Sequence, residues 1–181
     1  MTALPPLGIV GATLLPAHAG HATPPPPLDR VAIATFAGFF AALVTDVPMD
    51  RLDEGRTPTA VAASVLYAKP SADLRESEAR SVHYTAGVLA GALFALLAAA
   101  AETVAPPVAV LPGGLPLLSH LLAGAAVLAF LYAFFGHVVL PRFGREKAGV
   151  ADRVRRHWAV SATVYVLALL AGVPAAAVLL Y

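Results

Sequence analysis

Cysteine is absent from this chain. Disulfides, thiolate nucleophiles and Cys-ligated zinc or iron–sulfur centres are excluded, and membrane thiol oxidoreductases with them. Charge is scarce as well. Only 13% of the 181 residues are Asp, Glu, Lys or Arg, against about 25% in soluble domains. A formal net charge of +1 makes no electrostatic case for nucleic acid. HExxH is missing, as is any glycine-rich phosphate loop or compact nucleophile–base pair.

Apolar residues are abundant. They make up 59% of the chain, with a mean hydropathy of +0.76. They gather in four stretches, Val31–Met49, Val82–Ala101, Leu115–Leu140 and Trp158–Leu180. Each is about long enough to cross a bilayer, which takes roughly 20 residues. The expected fold is all-α: a four-helix transmembrane bundle over residues 29–181, preceded by an extramembrane Pro-rich tail over residues 1–28. In the tail, Leu7–Leu15 is apolar and Ala17-His18-Ala19 has a small-x-small form, but the positive start of a signal peptide is lacking. Pro24–Pro27 reads as polyproline II, and His18 and His21 as solvated side chains.

Of the 12 lysines and arginines, all but Arg30 lie between the first and second spans or between the third and fourth. Short loops rich in Lys and Arg stay cytoplasmic. The expected location is the cell membrane, multi-pass, with both termini outside. In the first of these loops, Thr57-Pro58 is a helix-start signal, and Thr59–Ala68 reads as a short interfacial or re-entrant helix closed before Pro70. Ser71 would cap the next helix. The loop Val104–Ser119 is uncharged and broken by prolines and Gly113-Gly114, and reads as an apolar turn at the outer interface.

Small residues recur every four positions along the spans: Ala34, Gly38 and Ala42 in the first, Gly87, Gly91 and Ala95 in the second. Residues at i and i+4 share a helix face, and small ones let two backbones approach. Ala125, Ala129 and Ala133 repeat the spacing in the third span, and Ser161, Ala168 and Gly172 follow it more loosely in the fourth. Each stripe ends in a polar group on one side: Asp46 and Asp50, His83, His137 and His157. Asp46 lies roughly 22 Å below Val31, near the inner edge of a core about 30 Å thick. His83-Tyr84 and His157-Trp158 open the second and fourth spans alike, a weak repeat that suggests two tandem helical hairpins.

Ionisable groups at the hydrocarbon edge are costly and constitute a site hypothesis. Asp46, His83, His137 and His157 could together hold a metal ion. Haem b between His83 and His157 is a weaker alternative, and a proton relay a third. Against these stands a plainly structural reading. His83 and His157 can rest at the interface beside the anchors Tyr84 and Trp158, and Asp50 can pair with Arg51 or Arg80. His120 sits apart, near the outer end of its span.

The segments GFFAALVTDVPMDRL (residues 38–52) and TPTAVAASVL (residues 57–66), with a His opening the second and fourth spans, resemble small uncharacterised four-helix membrane proteins of archaea and bacteria, loosely the YagU-like group. The resemblance covers residues 31–180. It implies a membrane bundle and no known activity.

Three function classes remain. One is a bundle with a metal, proton or small-ligand site of Asp and His at the cytoplasmic side. The alternative is an accessory or assembly subunit of a larger membrane complex, or a homo-oligomer, with a structural role. An enzyme acting on a lipid-soluble substrate ranks last.

Overall fold

A computed structural model of the chain describes residues 24–181. The expected tail features up to residue 23, including His18 and His21, lie outside the described residues. Six helices follow: α1 (Pro27–Arg51), α2 (Thr57–Tyr67), α3 (Glu76–Glu102), α4 (Leu117–Ala133), α5 (Leu140–Phe143) and α6 (Ala151–Leu180). Among the described residues four segments are long and apolar enough to cross a membrane: Pro27–Arg51, Glu76–Glu102, Leu117–Phe143 and Arg145–Leu180. They pack as a ring in which α1 lies along α3 and α6, and α4 closes the other side against the same two helices. The chain is an integral membrane four-helix bundle, with α2 between the first and second long helices.

Of the four prolines, the last enters a helix. Pro26 keeps a polyproline-like φ of −52° and ψ of 153°, while Pro27 takes the first helical turn, where a missing N–H costs nothing. At this end Arg30 bonds both carboxylate oxygens of Glu102 at 2.8 Å. The exceptional cation is thus neutralised by the acid that ends α3. A two-residue hairpin, β1 (Val110–Leu111) with β2 (Leu115–Pro116), stands in the uncharged loop. Gly113 and Gly114 turn it with φ of +83° and +76°, which suits residues without a Cβ.

The small-residue stripes of α1 and α3 do face each other. A methyl at Gly38 would lie 2.5 Å from the Gly87 carbonyl oxygen and 2.9 Å from Gly91 Cα. A methyl at Gly91 would collide with the Ala34 carbonyl. Lipid gives helices little hydrophobic reason to associate, so close backbone packing supplies much of the attraction. The third stripe is different: Ala125, Ala129, Ala133 and His137 are all exposed. The buried face of α4 is His120, Ala123, Gly124 and Val127. In an alanine-rich helix a four-residue repeat arises on more than one face.

Two prolines shape the later helices. After Ala133 the chain widens into a π-helical turn, Phe134–Val139, before α5. Pro141 has no N–H to continue the ladder, and the Gly136 carbonyl accepts the Arg155 Nε–H at 3.1 Å instead. Trp158 donates its indole N–H to the Leu131 carbonyl at 2.9 Å. Within α6, Pro174 deprives the Leu170 carbonyl of its helical donor. His120 Nε2 fills that place from α4 at 2.9 Å.

The helix read from Thr57-Pro58 is present, but Arg56 is its N-cap and Thr57 already lies inside it. It ends at Ala68, in a left-handed conformation with φ of 52°. Its first half, Thr57 to Ala63, covers the bundle end, and Val65, Leu66 and Tyr67 are exposed. Ser71 does not cap α3. It starts a single 3-10 turn, and α3 begins after Arg75, whose N–H is accepted by Glu78 at 2.9 Å.

Candidate functional site

Asp46 sits on the last turns of α1, on the face continued from Ala34, Gly38 and Ala42. Position 83 opens the matching stripe of α3, so the antiparallel pairing that joins the glycines also joins these two side chains. His83 Nε2 lies 3.0 Å from the Ala42 carbonyl oxygen and 3.6 Å from Asp46 Oδ1. A carbonyl only accepts, so Nε2 carries the proton and Nδ1 keeps a lone pair. The other Asp46 oxygen accepts from the Tyr84 hydroxyl at 2.7 Å.

Arg56 completes the cluster from the turn before α2. Its NH1 is 2.8 Å from Asp46 Oδ1, and its Nε and NH2 reach Asp50 Oδ1 at 2.8 and 2.6 Å. The NH1 approach to Asp46 is an ion contact without hydrogen-bond alignment, which leaves Oδ1 buried and with room for one more donor. His83 Nε2, whose proton goes to Ala42, stands 3.6 Å from this oxygen, beyond hydrogen-bond reach. One guanidinium therefore bridges two carboxylates one helical turn apart and ties α2 to α1. Asp50 thus pairs with Arg56, not with Arg51 or Arg80 as expected from the sequence. Its signal was position: Arg56 ends the tight turn that folds the chain back beneath α1.

His137 and His157 do not join Asp46 and His83. His137 is exposed, edge-on to Tyr132 at 5.7 Å between ring centroids. It follows the outward stripe of α4, which never turned toward the bundle axis. His157 turns to the loop, where its Nδ1 accepts the backbone N–H of Glu54 at 3.2 Å. Equal depth brought four groups to one end, but helix rotation divided them. Among the described residues no three His, Asp or Glu side chains gather as a metal site would require. A haem between His83 and His157 meets a similar obstacle, since one ring is bonded to α1 and the other to the α1–α2 turn.

Beneath His83 lies a cavity of about 50 Å³ between the long helices. Its wall includes Thr45, His83, Trp158, Ser161 and Tyr165. The Thr45 hydroxyl donates to the Ala41 carbonyl at 2.7 Å, and the Tyr165 hydroxyl to the Gly87 carbonyl at 2.6 Å. Ser161 is fully buried, and among the described residues its Oγ has no partner. Buried hydroxyls rarely go unpaired. A water needs about 10–15 Å³ and two to four polar partners, so this cavity suits one or a few waters.

Glu54 supports the same end from outside the spans. Its carboxylate accepts from the Thr57 hydroxyl and from Lys147 at 3.0 Å. The Thr57 hydrogen bond, followed by the Lys147 ammonium, holds its carboxyl below the ordinary 4.5 despite partial burial. A lowered folded-state value stabilises above the unfolded value and is lost as pH falls through the folded one. Wild-type protein should lose stability below pH 4.5. Glu54→Gln should be less stable at neutral pH and flatter in that acid range. Parallel melting curves for the two proteins across that range would contradict the assignment.

No protein family, curated protein or solved structure matches this chain in sequence or fold.

Proposed function

We propose that this membrane bundle binds a proton at its α2 end, on the His83–Asp46 pair, and passes it between the surface and the hydrated cavity beneath. The observation that carries the reading is the double position of His83. Its ring lies 3.6 Å from the Asp46 carboxylate and also lines the cavity that holds the unpaired Ser161. With Nε2–H committed to the Ala42 carbonyl, Nδ1 is the atom that gains the proton. The imidazolium would face Asp46 from α1, Arg56 from the turn before α2, and the neutral hydroxyls of Tyr84 and Tyr165. Burial and then Arg56 oppose the charge, and Asp46 favours it. Two ligands rather than three favour a proton over a metal ion.

Proton uptake by purified protein, measured between pH 8 and pH 4, tests this. His83→Gln should take up close to one proton fewer than wild type. Asp46→Asn should move that uptake to lower pH, because the attracting charge is gone. Equal uptake by wild type and His83→Gln would remove the proposal.

The cationic loops support a cytoplasmic α2 end. Gly149 has open space around it, so Gly149→Cys should fold and resist an impermeant outside thiol reagent. Gly113 is unsuitable for the opposite probe, since a Cβ there would meet Ala177 at 2.6 Å. Val108, 76% exposed, is better. Val108→Cys should react from outside, and the reverse labelling pattern would invert the orientation.

A further inference from the structure

A second cavity, of about 330 Å³, opens at the opposite end of the bundle, between α1, α3 and α4. It is independent of the proton site. Most of its wall is apolar, with Val31, Phe94, Ala95, Ala98 and Val173 among the lining side chains. Among the described residues three polar ones line it: Arg30, Glu102 and His120. Arg30 and Glu102 are bonded to each other at 2.8 Å and cancel in charge. An uncharged occupant therefore suits the cavity, because an ion would have to break this pair.

His120 sets the rest of the chemistry. It is 4% exposed, and Phe94 packs against it edge-on at 4.9 Å. Pro174 has left the Leu170 carbonyl without a helical donor, and Nε2–H of His120 is committed there at 2.9 Å. The bond fixes the tautomer. Nδ1 is left as an acceptor, and among the described residues no group donates to it. Pockets of this volume and apolar character, with a few placed polar groups, are the usual form of a small-molecule site.

We infer that this cavity binds an uncharged, membrane-soluble alcohol or phenol, its apolar body against Phe94 and Ala95 and its hydroxyl donating to His120 Nδ1. The methyl ether of the same molecule has the apolar body without the donor. Suitable probes are 4-butylphenol and 4-butylanisole, added to ¹⁵N-histidine-labelled full-length protein in nanodiscs. The phenol should shift the His120 Nδ1 resonance at saturating occupancy and bind about tenfold more tightly than the ether, the scale of one buried hydrogen bond. Ala98→Trp should fill the cavity and abolish the shift. Because that variant could misfold, the wild-type contrast between phenol and ether stands as the primary test. Equal binding of the two, as for any apolar molecule or lipid chain entering the gap, would overturn the inference. So would phenol binding that leaves His120 unmoved.

Discussion

Gly91→Leu should unfold the bundle at a much lower temperature than wild type. Position 91 meets the Ala34 backbone carbonyl across the α1–α3 contact, and Gly38 Cα lies 3.0 Å from where a Cβ would stand. Backbone cannot rotate aside as a side chain can. The helices must part, and the neighbouring contacts of Gly38 and Gly87 part with them. Overpacking of a tight core costs about 1–3 kcal/mol and occasionally more, and a leucine against backbone belongs at the upper end. Gly149→Leu, in open space, is the matched control. Thermal unfolding in detergent should separate the two clearly. Equal melting of Gly91→Leu and wild type would mean that this face of α3 looks to lipid.

The second large effect concerns Arg56. Removing it as Arg56→Met leaves Asp46 and Asp50 facing each other without the shared cation. Truncating one partner of a fully buried pair costs about 3–5 kcal/mol. Here the arginine side chain is 35% exposed and Asp50 62%, so water screens the loss and about 1–2 kcal/mol is expected. The change should be local. α2 loses its tie to α1, and its amides should exchange with solvent faster, while those of α3 and α6 near Gly87 and Tyr165 keep their protection. His83 should also hold its proton to higher pH, since the opposing guanidinium is absent. Unaltered exchange across α2 would mean that packing alone holds it.

Much of this was legible in residue patterns. Span lengths marked the four long helices, and the glycine and alanine stripes of α1 and α3 marked their contact, because close packing demands small residues at fixed spacing. Thr57-Pro58 marked α2, though its start lies one residue earlier than a Thr cap would place it. Depth along a helix also brought Asp46 and His83 to one level. Rotation about the helix axis was harder to read. The exposed face of α4 carries Ala125, Ala126, Ala129 and Ala133 while the buried face has Ala123 alone, so small-residue spacing points His137 to the wrong side. His157 found an acceptor role in a turn whose shape depends on tertiary packing. Tyr84 and Arg56, rather than further imidazoles, became the close partners of Asp46. Pro174 and Pro141 hinted at a further rule. Each frees a backbone carbonyl within a span, and a side chain from a neighbouring helix bonds to it. His120 and Arg155 do so.

Protonation of His83 is the claim on which the functional account rests. It is tested most directly by the ¹⁵N resonances of its ring, followed from high to low pH in labelled full-length protein. The account predicts a neutral ring with the proton on Nε2 at high pH, then a single-proton step at Nδ1 that moves to lower pH in Asp46→Asn. A ring with its proton on Nδ1, no step at all, or a step unaffected by Asp46→Asn would contradict it.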